Sequence, residues 1–286
     1  GRYIKWRSPL LTIMKRFTRQ RPKYLLGVSV ITIGILGAFM LTNCNQTRVD
    51  SISENLFLKG INTEFQLNKE EQESASQDVS QGFISLFDGE TLKGWKAADM
   101  SWWSVKKGAI TAEITDKKPC TENQYLFSEY GQMADFELKL KHRLVSKHNV
   151  NGGFQFRSEH YDLADCKGYQ VDNNTKTEWL VRLYDEFGRH TLSWRGERTV
   201  FSEKGVASKT TLPGTKEKAH FKLEQWHNYH LICKGNKITL YVNEKLVAEV
   251  IDNDPENFDP SGLLALQLHS GEPMLVQFKD IWYKEL

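Results

Sequence analysis

Residues 136–141 read Phe-Glu-Leu-Lys-Leu-Lys, a strict alternation of apolar and charged side chains. A period of two residues is that of a β-strand with one face buried and the other in water. A second decisive stretch, residues 237–248, holds two apolar runs separated by Asn-Glu-Lys at 243–245. That pattern predicts a hairpin with Asn243 at its turn.

Short runs of this kind recur over residues 82–286, separated by Gly, Asn, Asp and Pro. Two of them, residues 263–268 and 274–283, predict a further pair of strands near the C-terminus. Apart from a short turn predicted around residues 216–225, no segment has the period of an amphipathic helix. Many short strands joined by turns predict an all-β sandwich or barrel.

The N-terminal segment, residues 1–44, has a different composition. It contains eight basic residues and no acidic residue, and residues 24–41 form an uncharged, mostly apolar run of 18 residues. Basic residues before such a run are the layout of an export signal, for which Met14 is an alternative start, and the length also permits a membrane-spanning helix. We therefore expect an exported, membrane-anchored protein.

Residues 41–44, Leu-Thr-Asn-Cys, close the apolar run and resemble the bacterial lipoprotein cleavage box, in which the cysteine receives the lipid. Asn43 departs from the usual Gly, Ala or Ser, so lipidation of Cys44, in the periplasm or at the cell surface, and an uncleaved anchor are both open. Residues 45–81 are polar and predict a linker, with some helix around 68–76. The folded domain is accordingly predicted over residues 82–286.

The charge of the chain is unevenly distributed. Of its 38 basic residues, 30 lie outside the N-terminal segment and stand against all 36 acidic residues, so the remainder has a net charge of about −6. A net negative domain without a basic cluster argues against nucleic acid as a partner.

Four cysteines are present, without a CxxC pair or a zinc-like cluster of Cys and His. Apart from Cys44, two of the cysteines, Cys120 and Cys166, lie in polar, loop-like stretches. These two could form a disulfide in an oxidising compartment. Cys233 lies in an apolar run and is predicted to be a small core residue.

The same alternation predicts which side chains point away from the core. Ordinary solvated strands favour Lys, Glu and Thr, whereas three strands here carry a different polar set on that face. Sugar hydroxyls need bidentate donors and acceptors, and pyranose faces need aromatic platforms, so this set indicates a carbohydrate site. Its members are Gln155, Arg157, Gln170, Asp172, Gln267 and His269.

Simpler interpretations exist for these residues. Arg157 would pair with Asp172, and His269 would bond only a neighbouring backbone group. Residues 185–189 and Arg195 would form local ion pairs in a solvated loop. The tryptophans at 102, 103, 226 and 282 are more typical of a core, which leaves Trp194, in a polar stretch, as the candidate for stacking on a sugar.

A series of motifs resembles a known family. In order along the chain, these motifs are residues 86–95, 103–108, 135–138, 151–157, 168–172, 183–189, 195–196, 226–229, 262–271 and 276–281. Through them the chain resembles the 3-keto-disaccharide hydrolase-like domain over residues 82–286, essentially the whole predicted domain.

The resemblance implies a concanavalin-like jelly-roll sandwich of two curved antiparallel sheets with a sugar site on the concave face. It also implies action on glycosides that are oxidised at C3. Gln170 departs from members that have Glu at this position, because an amide cannot ionise to act as acid or base.

A ketone at C3 acidifies the proton on C2, so a base can remove that proton and the C1 substituent can leave by elimination, followed by addition of water. We predict His269 or Asp172 as the base and Arg157 as the stabiliser of the enolate. A divalent ion at Asp172 would serve the same chemistry, but no ligand spacing supports a metal site. The residues predicted to bind the substrate are Gln155, Gln170, Tyr184, Arg189, Trp194, Arg195 and Gln267.

The main alternative is a carbohydrate-binding module without catalysis, and the third is a structural or protein-interaction sandwich. Titratable groups on the site face favour an enzyme, whereas aromatic rings with few ionisable groups favour a binder. The sequence gives neither the natural sugar nor the oligomeric state.

Overall fold

A computed structural model describes residues 69–286, except 163, 177–179 and 214–221, together with the single residues 59, 63 and 66. The predicted export segment 1–44, with Cys44, and most of the turn predicted around 216–225 lie outside the described residues. No helix in the described part is long and apolar enough to cross a membrane.

The described residues contain one helix, α1 (69–80), one short 3-10 helix (Met100–Trp102) and seventeen strands. In chain order the strands are β1 (Ile84–Ser85), β2 (Trp95–Lys96), β3 (Trp103–Lys106), β4 (Ala109–Ile114), β5 (Gln124–Ser128), β6 (Phe136–Val145), β7 (Asn151–Tyr161), β8 (Asp165–Asn174), β9 (Arg182–Glu186), β10 (His190–Trp194), β11 (Glu197–Phe201), β12 (Ala207–Thr211), β13 (His227–Lys234), β14 (Lys237–Val242), β15 (Lys245–Asp252), β16 (Leu263–Leu268) and β17 (Met274–Glu285).

The strands form two sheets in a jelly-roll-like sandwich. The ten-stranded sheet has the order β12-β11-β15-β14-β13-β6-β17-β4-β3, with β1 also paired to β17, and the seven-stranded sheet has the order β10-β9-β8-β7-β16-β5-β2. The prediction of an all-β sandwich is confirmed. Pairing between strands is antiparallel apart from that of β11 with β15, which is parallel. Between β10 and β11 the chain passes from the edge of the seven-stranded sheet to the ten-stranded sheet.

The core lies between the two sheets and follows the predicted alternation. In β6, buried residues from Phe136 to Leu144 alternate with half-buried ones. In the seven-stranded sheet Phe154, Tyr169 and Leu266 are fully buried in the same core. The faces predicted from the sequence are therefore confirmed for these strands, and Cys233 is a core residue as predicted.

The predicted hairpin at Asn243 is also confirmed. Strands β14 and β15 are joined by Asn243 and Glu244, whose φ angles are 49° and 65°. Two successive positive φ angles are those of a type I′ turn, whose twist matches that of the flanking strands.

The C-terminal part of the predicted linker, residues 69–80, forms α1 and packs against the domain. The carboxylate of Asp78 in α1 lies 2.5 Å from the ammonium of Lys139, and Glu71 contacts Lys141 and Lys279 at 3.4 and 2.8 Å. The lysines project from the face of the ten-stranded sheet that is opposite the core, so α1 is held there by charge. The predicted helix around 68–76 is confirmed and is longer than expected.

The expected pairing of Cys120 with Cys166 is wrong. Both thiols are free and buried, as is that of Cys233. Cys166 is not in a loop but within β8, where it packs in a small apolar cluster on the seven-stranded sheet, and Cys120 belongs to the main core.

Candidate functional site

The candidate site lies on the outer face of the seven-stranded sheet, which is the face directed away from the ten-stranded sheet. Residues directly opposite one another on neighbouring strands share a face. The register places Gln155 of β7 opposite Gln170 of β8 and Ala265 of β16, and Gln170 opposite Tyr184 of β9. These four side chains therefore form one row across the sheet.

A second row lies one pair of residues further along the strands. Asp172 of β8 is opposite Gly153 of β7 and Arg182 of β9, and Gly153 is also opposite Gln267 of β16. Trp194 of β10 continues the row beside Arg182. The structure thus brings together six of the predicted residues, which lie on five separate strands.

The amides are linked in a chain of hydrogen bonds. Gln170 Nε2 donates to Gln267 Oε1 at 2.9 Å, and Gln267 Nε2 donates to the hydroxyl of Tyr125 at 2.9 Å. This chain fixes which side of each amide is the donor and which is the acceptor. Tyr125 was not among the site residues predicted from the sequence. The alternation of residues along β5 was the signal that could have placed it on the outer face.

Gln155 stands apart from this chain. It is 0 % exposed, and neither Nε2 nor Oε1 has a hydrogen-bond partner among the described residues. A buried amide without partners costs about 1–3 kcal/mol. The amide lies beneath the polar face and is not accessible to a ligand in this conformation.

The second row holds a buried ion pair. Arg182 Nε contacts Asp172 Oδ2 at 2.5 Å, and Arg182 Nη1 donates to Thr191 Oγ1 at 2.8 Å. The guanidinium lies between two rings, with its carbon 4.4 Å from the ring centre of Tyr184 and 5.3 Å from that of Trp194. Arg182 was missed in the sequence, because its place opposite Asp172 depends on the register.

The pKa of Asp172 reflects this setting. Burial raises the pKa of its carboxyl, and the charges of Arg182 and His269 act in the opposite direction.

His269 follows β16 on the same side as Gln267 by alternation. Its Nδ1 lies 2.7 Å from the backbone carbonyl oxygen of Ser270. Because a carbonyl only accepts, Nδ1 carries the hydrogen in the neutral imidazole, and Nε2 carries the lone pair. The simpler interpretation of a backbone hydrogen bond is thus correct, and that bond also leaves Nε2 ready to accept a proton.

Arg157 does not lie with these residues, which corrects its predicted role. A bulge in β7 between 156 and 159, with φ of 46° at Arg157, interrupts the alternation and turns the side chain away. Its guanidinium donates to the carbonyls of Ala134 and Gly235 and to Asp135. Arg157 is therefore a structural cation that ties β7 to turns of the ten-stranded sheet.

Arg189 is also placed elsewhere. Its guanidinium contacts Asp185 at 3.4 Å, Asp252 at 2.5 Å and Asp254 at 3.8 Å, and it lies 3.4 Å from the hydroxyl of Tyr169. Asp252 lies in β15 of the ten-stranded sheet, so Arg189 ties the loop after β9 to the other sheet. The alternative of local ion pairs holds only for its contact with Asp185.

Arg195 occupies the turn between β10 and β11, where the chain passes from one sheet to the other. It is half-buried, and its Nη1 has no hydrogen-bond partner among the described residues. Its position in that turn, after the last strand of the site, places it at the edge of the candidate site.

Glu186 is a site residue that the sequence analysis left among the loop ion pairs. It ends β9, two residues after Tyr184 and therefore on the same outer face. Burial and the neighbouring charges of Asp165 and Asp172 raise the pKa of its carboxyl to about 7. A carboxyl with this pKa exchanges protons near neutral pH, as acid–base catalysis requires.

The described part of the chain contains no group of three or more His, Cys, Asp or Glu side chains that could hold a metal ion. The outer face combines an imidazole, a guanidinium between aromatic rings, two carboxyls in different environments and three amides. Such a set can bind hydroxyl and carbonyl groups and can move protons.

Most of the chain is similar to a known protein family. A family model described as the 3-keto-alpha-glucoside-1,2-lyase-like domain matches residues 82–284. No curated protein sequence matches the chain with significance.

Several solved structures resemble the fold at low sequence identity. A candidate glycosyl hydrolase from Parabacteroides distasonis is 15% identical, with a TM-score of 0.49, over 73% of this chain and 96% of that chain. The carbohydrate-binding module CBM66 from Bacillus subtilis is 15% identical, with a TM-score of 0.44, over 67% and 96%. The β-glucanase of Bacillus licheniformis is 11% identical, with a TM-score of 0.43, over 71% and 97%.

Proposed function

The chain belongs to the family of 3-keto-alpha-glucoside-1,2-lyase-like domains, and from this premise we propose that it cleaves glycosides oxidised at C3 by elimination and hydration. Family membership supports a carbohydrate-related function. The finer assignment, to 3-keto-glycosides and to catalysis rather than binding alone, is our proposal and is supported by the chemistry of the outer face.

The observation that carries the proposal is the state of His269. Its Nδ1 hydrogen bond to the Ser270 carbonyl directs the lone pair of the neutral ring to Nε2, which is thereby available to accept a proton. Between the two bases predicted from the sequence, His269 is the better one, because Asp172 is already bound to Arg182.

The reaction begins with transfer of the C2 proton to His269 Nε2. The electron pair of the C2–H bond is delocalised onto the C3 oxygen, where the Arg182 guanidinium can stabilise the developing charge. The pair then forms the C1=C2 bond while the C1–O bond breaks, and its electrons leave with the aglycone oxygen, which takes up a proton. Addition of water, with hydroxyl to C1 and hydrogen to C2, gives net hydrolysis.

Arg182 takes the role predicted for Arg157, since it is the guanidinium that lies on the outer face. Tyr184 and Trp194 flank its guanidinium, and Gln155 lies buried beneath the same face. The remaining amides, Gln170 and Gln267, orient hydroxyl groups through their fixed hydrogen-bond chain.

The experiment compares methyl 3-keto-glucoside with methyl glucoside as substrates for the parent protein and for His269→Gln. We expect the parent to release methanol from the keto sugar only, because C2–H is not acidic without the ketone. His269→Gln should lower turnover about 100- to 10,000-fold, the usual contribution of a positioned acid or base. In deuterated water the parent's product should carry deuterium at C2.

A matched control is His230→Gln, since His230 lies on the other sheet, paired with Glu137 at 2.8 Å; it should retain full turnover. Equal turnover of the plain glucoside would rule out elimination. Binding of the keto sugar without any turnover would support the carbohydrate-binding module instead.

We also propose that residues 1–44 export and anchor the protein, through Cys44 as a lipid acceptor or as an uncleaved apolar segment. The support is the basic and apolar patterning of the sequence.

A further inference from the structure

A groove lies on the opposite side of the sandwich from the candidate site, between α1 and the outer face of the ten-stranded sheet. Its volume is about 790 Å³, within the range of about 300–1,000 Å³ that is usual for sites of small ligands. We call this space, between residues 70–78 and strands β6, β13, β14 and β17, the α1 groove.

The floor of the α1 groove is a row of half-buried side chains that crosses four strands. The register places Tyr241 of β14 opposite His230 of β13, and His230 opposite Lys139 of β6. Lys139 is in turn opposite Trp282 of β17. Side chains opposite one another share a face, so an aromatic ring stands at each end of the row. The two rings lie three strands apart, which is about 14 Å.

Helix α1 forms the wall of the groove and does not pack tightly on the sheet. A helix that is held by a core buries an apolar stripe, whereas in α1, all of whose residues are described, only Asp78 is buried. The side chains that α1 turns to the middle of the groove are the small ones of Ser74 and Ala75. Ion pairs of Glu71 and Asp78 with lysines hold the helix at this distance from the sheet.

The charges on the floor are already compensated. Lys139 lies 2.5 Å from the carboxylate of Asp78, and His230 Nε2 lies 2.8 Å from that of Glu137. Lys141 contacts Asp280 at 2.8 Å. An anionic ligand would have to displace one of these carboxylates, whereas a neutral polar ligand would not. The α1 groove is therefore suited to a neutral ligand.

Several uncharged polar groups of the groove are available to such a ligand. The hydroxyl of Tyr241 and the side-chain amides of Asn228 and Gln77 line the groove, and none of the three makes a hydrogen bond with a described residue. Amides and hydroxyls can bond the hydroxyl groups of a sugar, and aromatic rings can contact the apolar faces of its ring. The groove thus offers both kinds of contact that a sugar chain requires.

We propose that the α1 groove is a second carbohydrate-binding site, which holds a neutral oligosaccharide with one sugar unit against Trp282 and another against Tyr241. A single sugar cannot reach both rings, so the site favours a chain of several units. This inference does not depend on the proposed reaction, because the groove shares no residue with the candidate site.

The test is calorimetric titration of the full chain with maltotetraose and cellotetraose, and with methyl glucoside as the short ligand. None of these sugars is oxidised at C3, so the proposed reaction does not consume them. We expect at least one tetrasaccharide to bind, and methyl glucoside to bind about tenfold more weakly or less, because it loses the contact with one of the two rings.

Variants of the two rings locate the binding site. Trp282→Ala and Tyr241→Ala should each weaken binding of the tetrasaccharide about tenfold or more. The matched control is Tyr130→Ala, which removes a ring that is 44 % exposed and lies outside the groove. This control should bind the tetrasaccharide as the parent does.

A variant that fills the groove separates loss of the site from loss of the fold. Ser74→Leu places a larger apolar side chain between α1 and the sheet, so it should abolish binding while the Tm stays at or above that of the parent. Ser76→Leu adds the same side chain to an exposed position of α1 that does not line the groove, and it should retain binding.

The remaining outcomes would overturn the inference. If neither tetrasaccharide binds the parent, or if Ser74→Leu binds as tightly as the parent, the α1 groove is not a carbohydrate site. If Trp194→Ala removes binding and Trp282→Ala does not, the sugar occupies the candidate site instead. If only the cationic tetramer of glucosamine binds, the ligand is not neutral. Turnover of 3-keto-glucosides is a separate measurement, so failure of either proposal leaves the other standing.

Discussion

His142 shows at the scale of one residue how the core sets the charge of a side chain. It lies in β6 with 0 % exposure, stacked on Phe278 with ring centres 4.4 Å apart. Nδ1 lies 3.1 Å from the carbonyl oxygen of Gln277, and Nε2 has no partner among the described residues. Burial lowers the pKa of the imidazole to about 3, so the ring stays neutral in the folded protein.

This lowered pKa makes stability depend on pH. Between about pH 3 and 6.5 the unfolded chain binds a proton on His142 that the folded chain excludes, so the free energy of unfolding falls as the pH falls, by about 1.4 kcal/mol per pH unit. His142→Asn, whose amide can also donate to the Gln277 carbonyl, should lack this dependence. Urea unfolding at pH 7 and pH 5 should show a loss about 2 kcal/mol larger for the parent; equal losses would contradict the assignment.

Arg157 and Arg182 mark the limit of sequence reasoning at this scale. Alternation correctly placed Gln155 on the outer face, yet it failed two residues later, because the bulge in β7 is a property of the paired strands and leaves no mark in the sequence of β7 alone. The cation on the face is Arg182, whose position depends on pairing with Asp172 across two strands.

At the scale of one element, strand β16 shows that the alternation of apolar and polar residues determines which side chains face the core. Leu264, Leu266 and Leu268 are 0 % exposed in the main core. Gln267 between them is 1 % exposed, but on the other face, where it bonds Gln170 and Tyr125. The leucines and Gln267 are all buried, so burial alone does not distinguish the two faces. What distinguishes them is the contacts, which are apolar for the leucines and hydrogen bonds for Gln267.

Substitutions on the two faces of β16 should lower the free energy of unfolding by different amounts. Leu266→Ala leaves a cavity between the sheets and should lower the free energy of unfolding by about 2–5 kcal/mol. Gln267→Ala removes two hydrogen bonds at the site and should cost about 1–2 kcal/mol, while substrate affinity falls more strongly than for Leu266→Ala. Urea unfolding and sugar binding of both variants provide the measurement, and equal losses of stability would mean that the face assignment is wrong.

The elements of the fold could thus be predicted, and their assembly could not. Periods of two identified β6, the hairpin at Asn243 and the two C-terminal strands, because each carries its own buried face. Tyr125, Arg182 and Glu186 join the site through strand order and register, which are set by long-range pairing that one sequence does not reveal.

At the scale of the whole molecule, the two sheets have different outer faces. That of the seven-stranded sheet carries the candidate site. That of the ten-stranded sheet carries α1, bound through Asp78 and Glu71 to lysines of β6 and β17. The two outer faces are therefore distinct in kind, because one carries the candidate site and the other carries a helix held by ion pairs.

The last prediction tests whether Cys44 receives a lipid. An 18-residue apolar run, residues 24–41, follows a basic segment and is followed by Cys44, so we expect the full chain expressed in a bacterial host to carry a fatty-acid label and to sediment with membranes. Cys44→Ala should lose the label. Cys120→Ala is the matched control and should keep it, because Cys120 is buried in the folded domain. Label that persists in Cys44→Ala, or a parent that never carries any, would contradict lipidation; an unlabelled parent that still sediments with membranes would instead indicate an uncleaved apolar anchor.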